Sequence, residues 1–305
     1  MADIMNNLSD RLLFGIPKKG RLHEHSLALL NGADINFYRH NRLDIALVQN
    51  LPIALVFLPA ADIAKYVADG NVDLGITGQD MILESQVDDR VVHLLELGFG
   101  KCKLQVQVPI KSTIQKVEDL VGKRIVTSYE VLANDYFEKL DKKHLNENQR
   151  KEGEKTKIEF VSGSVEAACA LGLADGIVDL VESGETMRAA GLHAIATINS
   201  TQAILFRNKN PSNPSLVSKI TSRIKGVIAA QKYVLLSYNI HRNTVSEATK
   251  ITPGRQAPTI SPLENNDWVE VQSMVCKDDV AEIMDKLEEI GAKDILVFKI
   301  DNCRV

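Results

Sequence analysis

The residues with the clearest chemical potential are Asp179-Leu180-Val181-Glu182-Ser183-Gly184-Glu185-Thr186, where an apolar run ends in a loop of Ser, Gly and Thr. A helical run through Met187 to Ala190 follows directly. A loop that enters a helix N-terminus presents unpaired backbone N–H groups and the positive end of the dipole, which suits a phosphomonoester. Gly184 lets the backbone approach such an anion, and Ser183 and Thr186 add hydroxyl donors. Asp179 and Glu182 cannot bind phosphate, but they can accept hydrogen bonds from a sugar diol beside it. The same pattern also describes an ordinary capped helix with Thr186 as N-cap.

Lys18-Lys19-Gly20-Arg21 lies between a strand-like and a helical run. Three cations around a glycine can clamp a polyphosphate, with Arg supplying a planar fork; a solvated basic turn is the alternative. Asp73-Leu74-Gly75-Ile76-Thr77-Gly78-Gln79-Asp80 falls at a strand end, where open α/β sheets place ligands, and it reads equally well as a structural turn. His23 and His25 are two apart with no third ligand apparent, so no metal site is expected. There is no Gly-x-Ser-x-Gly elbow and no Walker loop, and Gly98-Phe99-Gly100 lacks the third glycine of a dinucleotide fingerprint.

These groups must be positioned by alternating strands and helices. Strands are expected at Leu12–Ile16, Ile45–Val48, Ile53–Phe57 and Val72–Gly78, with a helix from Leu22 to Leu30 and another capped by Asp62 and closed by Gly70. Further strands follow at Leu104–Val108, Arg124–Thr127, Ile158–Val161 and Ile177–Val181, with helices at Val117–Leu120, Val131–Leu140 and Val165–Leu173. Such alternation indicates an α/β sheet. The charged stretch Asp141–Lys157 reads as a solvated excursion. From about Lys232 the order becomes βαββαβ: Tyr233–Tyr238, Thr244–Ile251, Thr259–Ser261, Val269–Val275, Asp279–Ile290 and Ile295–Ile300. That order marks a separate small domain of ferredoxin-like type.

Composition limits the function classes. A chain of 305 residues allows two or three domains, and 45% hydrophobic with 25% charged residues removes disordered and fibrous classes. Lys+Arg 36 against Asp+Glu 40 leaves −4, which argues against a broad nucleic-acid face, as does a 5% aromatic share. Cys102, Cys169, Cys276 and Cys303 have no paired spacing, which favours a reducing compartment over a disulfide or zinc framework. Met1–Arg11 is polar and acidic rather than signal-like, and the apolar region Ile45–Ala61 is broken by Gln49, Asn50, Pro52 and Pro59. The expectation is a cytoplasmic protein without a membrane partner.

Taken together, several segments resemble the ATP phosphoribosyltransferase family of histidine biosynthesis, in its long form. They are Pro17–Leu22, Val72–Gly78, Gly122–Tyr129, Gly163–Glu166, Gly172–Asp175, Asp179–Thr186, Pro258–Leu263 and Ile290–Leu296. The resemblance implies two catalytic lobes of the type II periplasmic-binding-protein kind plus an ACT-like regulatory tail. The first lobe would comprise residues 1–103 and 198–230, the second 104–197, and the tail 231–305. It implies that Asp179, Glu182, Ser183, Gly184, Glu185 and Thr186 hold phosphoribosyl pyrophosphate. ATP would lie towards Lys19, Gly20, Arg21, Asp73 and Leu74, with Asp179, Glu182, Lys19 and Arg21 carrying the catalysis. Histidine, as inhibitor, would bind near Asn239 and Thr259. Magnesium is expected to arrive with the substrates rather than at a protein metal site, and the chain is expected to form dimers to hexamers. Many relatives carry an Arg where this chain has Leu58-Pro59, and the stretch 141–157 is longer than in compact relatives. The rival class is a non-catalytic two-lobed ligand-binding or effector-sensing protein, since fold does not fix function.

Overall fold

The computed structural model describes Leu8 and residues 10–39, 43–145 and 155–304. These group into two compact units, Met1–Ser26 with Phe37–Pro214, and Leu27–Asn36 with Ser215–Val305.

The first unit holds two sheets. The N-terminal elements are β1 (Leu12–Pro17), α1 (Arg21–Gly32), β2 (Ile45–Leu47), β3 (Ile53–Leu58), α2 (Ala60–Ala68), β4 (Leu74–Gly78), α3 (Gln79–Glu84) and β5 (Val91–Glu96). The second set is β6 (Cys102–Pro109), β7 (Arg124–Thr127), α4 (Glu130–His144), β8 (Lys157–Phe160), α5 (Ala167–Ala170), β9 (Gly176–Val181), α6 (Glu185–Ala189) and β10 (Leu192–Thr201). The chain then returns through β11 (Ala203–Asn208).

One sheet has the order β2-β3-β1-β4-β11-β5 and the other β10-β6-β9-β7-β8. The chain therefore leaves the first lobe after β5 and re-enters it at β11, the two-lobed arrangement of the periplasmic-binding-protein kind. The central strand β4 is buried along its whole length, as expected for a strand covered on both faces. Ile63, Val67, Ile82 and Phe206 pack together in the first lobe, and Leu104, Val106, Tyr129, Phe137 and Val178 in the second.

Several local expectations change. Asp62 lies inside the first turn of α2, whose N-cap is Pro59. The helix expected over Val165–Leu173 is reduced to Ala167–Ala170, and Val117–Leu120 is a single 3-10 turn. Both ends of the charged stretch are anchored: Asp141 is buried, and Thr156 donates to it from its backbone N–H at 2.9 Å and its hydroxyl at 2.7 Å. Residues 146–154 of that stretch lie outside the described residues.

The second unit contains α7 (Pro214–Lys232), β12 (Tyr233–His241), α8 (Val245–Ile251), β13 (Thr259–Pro262), β14 (Trp268–Cys276), α9 (Val280–Glu289) and β15 (Lys293–Lys299). The sheet order β13-β14-β12-β15, wholly antiparallel, is that of a ferredoxin-like βαββαβ module. Leu236, Tyr238, Ile240, Val269 and Val271 face α8 and α9, which contribute Ala248 and Leu287. Of residues 202–230, expected to complete the first lobe, β11 joins the first sheet and α7 groups with this unit. Arg223 on α7 donates to the Asp34 carbonyl at 2.9 Å, and Asn302 donates to the Gly32 carbonyl at 2.8 Å.

Candidate functional site

Parallel pairing of β1 with β4 brings their C-terminal ends to one edge of the first sheet. Pro17 there leads into Lys18–Arg21, and Gly78 into α3. In the second sheet β7 and β9 are parallel to each other and β6 runs against β9, with Lys103 opposite Val181. Tyr129, Cys102 and the 182–186 loop therefore gather at one edge. The two edges meet through Arg21, whose Nη1 donates to Glu182 at 3.1 Å and whose Nη2 lies 3.0 Å from Cys102 Sγ.

The electrostatics follow from these contacts. Burial works against the charge on Arg21, but Cys102 and Glu182 outweigh it and its pKa rises. Burial pushes the Cys102 thiol up, against the pull of Arg21. Asp179 is raised by burial, its Leu180 N–H bond opposing, with Glu166 adding to the rise. Lys18 is paired with Asp44 at 2.7 Å, and its hydrogen bond lowers the Asp44 pKa. Of the expected three-cation clamp, Lys19 is thus the exposed cation with no ion-pair partner among the described residues.

Two cavities flank the Arg21–Glu182 pair. A space of about 540 Å³ is bounded by Glu182, Ser183, Gly184, Arg188, Lys101 and Lys103. A smaller one of about 210 Å³ is bounded by Lys19, Gly20, Arg21, Gly78, Asp80 and Tyr129. Gly184, with φ +75, is the N-cap of α6, so Thr186 is not the cap but the second helical residue. A helix of five residues has a weak dipole; the cationic Arg188 beside the loop, donating to the Ser183 carbonyl at 3.2 Å, adds fixed positive charge. Ser183, Glu185 and Thr186 are exposed.

Asp80 closes the Asp73–Asp80 run read from the sequence, which assigned it no individual role. Only 4% exposed, it accepts from the Tyr129 hydroxyl at 2.8 Å and the Thr201 hydroxyl at 2.8 Å. Its carboxylate folds back over Gly78, where an added Cβ would meet Asp80 Oδ1 at 2.1 Å. Burial and the negative Asp80 push the Tyr129 pKa far above the usual phenol range. Asp80 and Tyr129 each follow a strand's C-terminal end, so strand-end position is a signal that could have found them; Thr201, Lys101, Lys103 and Arg188 carried none.

Asp73 and Leu74 are not brought to this group. Asp73 exchanges backbone hydrogen bonds at the start of β1, its carboxylate accepting the Leu13 N–H at 2.9 Å and also that of Ser212. Leu74 is fully buried. They stand level with Leu13 and Phe14, whereas Pro17 is roughly 10–13 Å further along the strand. Neither residue lines either of the two cavities. Asn239 and Thr259 do share a face of the tail sheet: Thr259 is level with Gln272 and Gln272 with Ser237, two residues from Asn239. Among the described residues no group of three or more His, Cys, Asp or Glu is placed to hold a metal.

A family model for "ATP phosphoribosyltransferase" matches residues 59–226, and one for "HisG, C-terminal domain" matches residues 230–302. The ATP phosphoribosyltransferase of Yarrowia lipolytica is 57% identical over 303 residues, covering 99% of this chain and 100% of that one. The enzyme of the same name from Saccharomyces cerevisiae is 55% identical over 304 residues, with 99% and 100% covered. Among solved structures, the "ATP phosphoribosyl transferase (HisG:HisZ) complex from Thermotoga maritima" superposes with a TM-score of 0.59 at 24% identity, covering 72% of this chain and 98% of that one.

Proposed function

The chain belongs to the ATP phosphoribosyltransferase family, and on that premise we propose that its cleft joins N1 of the ATP adenine to C1 of phosphoribosyl pyrophosphate. The reaction is a pentosyl transfer, releases pyrophosphate and is the first step of histidine biosynthesis. The observation that carries the site assignment is the meeting of Arg21 with Glu182 at 3.1 Å, which places the basic turn opposite the 182–186 loop.

The loop suits the 5-phosphate, with Gly184 at φ +75, the Ser183 and Thr186 hydroxyls, and Arg188 nearby. Glu182 and Asp179 would accept from the ribose diol. The adenine N1 already carries a lone pair at neutral pH, so no general base is required. The chemical difficulty is charge: pyrophosphate leaves while the ribose becomes oxocarbenium-like. Lys19 and Arg21 would stabilise the leaving charge, Arg21 exchanging Glu182 for phosphate oxygens. ATP fits towards the smaller cavity, against Lys19, Gly20 and Tyr129. Alignment of two substrates can supply roughly 7–11 kcal/mol of the barrier in favourable cases.

Magnesium enters this reading as part of the substrate, carried by the polyphosphates and neutralising their charge. Histidine inhibition through the tail, assembly into dimers to hexamers and a cytoplasmic location belong to the same proposal. No helix among the described residues is long and apolar enough to cross a membrane. The test is pyrophosphate release from phosphoribosyl pyrophosphate that requires ATP and magnesium. Calorimetric binding of small ligands without such release would favour the binding-module class instead.

A further inference from the structure

Helix α3 is six residues long, yet it belongs to both lobes. Ile82 is fully buried in the first lobe's core, while Met81 packs against the second lobe's cluster around Leu104, Tyr129 and Phe137. At its start, Asp80 accepts from the hydroxyl of Tyr129, the N-cap of α4. At its end, Glu84 accepts from the backbone N–H groups of Val131 at 2.9 Å and Leu132 at 3.0 Å, in the first turn of α4. Asp80 and Glu84 are four apart and so share one helix face, and they hold one short segment of the second lobe, residues 129–132. Thr201, the other partner of Asp80, is the last residue of β10, immediately before the chain returns to the first lobe. Asp80 also binds Thr201 through its own backbone N–H at 3.0 Å. The clasp therefore sits at a crossover, the place where a small angular change moves a whole lobe.

We propose that Asp80 and Glu84 are positioning residues of the phosphoribosyl transfer, together fixing the angle at which the 182–186 loop faces the Lys19–Arg21 turn. This rests on the transferase reading above. Glu84 touches neither cavity, so its effect is transmitted only through the backbone it holds. Phosphoribosyl pyrophosphate draws its 5-phosphate contacts from the second lobe and ATP draws its contacts chiefly from the first. Loosening the clasp should therefore spare the binding of each and impair their alignment, to which transfer rates are steeply sensitive.

The experiment compares Glu84→Ala and Glu84→Gln in the full chain. The Gln side chain keeps a carbonyl acceptor for one of the two α4 amides and turns its NH2 towards the other, whereas Ala keeps no acceptor. In Glu84→Ala, kcat is expected to fall at least about tenfold while KM for either substrate changes less than about threefold, and Glu84→Gln recovers part of the loss. A second readout needs no turnover: the distance between site-specific probes at the exposed Tyr66 in the first lobe and the exposed Phe160 in the second. It should broaden in Glu84→Ala and narrow again in part in Glu84→Gln. An unchanged distance distribution overturns the clasp whether or not the chain is active, as does a kcat loss that only tracks loss of folded protein. A wild-type chain without pyrophosphate release overturns the transferase reading, and the distance measurement still decides the clasp.

Discussion

The Arg21 guanidinium donates to the Glu182 carboxylate at 3.1 Å across a sequence separation of 161 residues. The cation proposed for the leaving group in one lobe and the carboxylate proposed for the ribose diol in the other thus form an ion pair. Both side chains are partly exposed, at 39% and 57%, so the pair adds little stability, about 0–1 kcal/mol for bridges of this kind.

Glu182→Ala should therefore leave the melting temperature nearly unchanged while raising KM for phosphoribosyl pyrophosphate. Arg21→Ala should lower kcat instead, because its proposed role is at the departing pyrophosphate. Equal effects of the two substitutions on both constants would remove the distinction between their roles.

Asp179→Asn should separate function from stability. The half-buried carboxyl has its pKa raised in the fold, so the folded state binds a proton that the unfolded state has already released. Its contribution is fully present below the unfolded carboxylate range and declines as pH rises through the folded value. At neutral pH the asparagine variant, which keeps an acceptor for the Leu180 N–H bonded at 2.8 Å, should melt at or above the wild-type temperature while losing turnover. The gap should narrow as the pH is lowered towards 4. Thermal scans across that range check it; a variant less stable at pH 7 than at pH 4, relative to wild type, contradicts the sign.

The outcome for these residues shows what a sequence can reveal. The Asp179–Thr186 loop and the Lys18–Arg21 turn were readable because each joins a strand to a helix through glycine, and that local grammar survives folding. Pairing of Lys18 with Asp44, and of Arg21 with Glu182, was not readable, because it depends on which strand ends the sheet order brings together. The place of Asp73 was unreadable for a related reason: it immediately precedes the strand that Gly78 ends, and direction along a strand decides which end lies beside Lys19 and Arg21. Thr201 gave no signal at all, since its importance comes from standing at the return between lobes. The βαββαβ tail was fully legible from apolar alternation and one amphipathic helix.

Gly78→Ala tests the buried polar network. The added Cβ would fall 2.1 Å from Asp80 Oδ1, so the carboxylate must leave its position between Tyr129 and Thr201. Two hydroxyls and one buried charge would lose partners together, which costs on the order of 2–4 kcal/mol. Urea unfolding should show that loss. Tyr129→Phe, which removes one donor and leaves Asp80 its Thr201 bond, should cost less, about 1–2 kcal/mol. A Gly78→Ala chain as stable as wild type would mean that the network relaxes freely.

The histidine reading is tested on the open face of the tail sheet. Asn239 donates to Asp294 at 2.9 Å, and Thr259 lies two strands away on the same face, about 10 Å across. Between them Glu270 accepts from Ser237 at 2.6 Å and from Gln272 at 2.9 Å, and these bonds hold its pKa below the usual carboxylate range. An ionised carboxylate flanked by amide and hydroxyl groups suits an amino acid, whose ammonium needs an anion and whose carboxylate needs donors. Asn239→Ala and Thr259→Val should each weaken histidine binding by about 5–30-fold, the equivalent of roughly 1–2 kcal/mol for a lost hydrogen bond. Calorimetry on the full chain reads this directly. Unaltered affinity in both variants would exclude this face and move the regulatory site elsewhere on the tail.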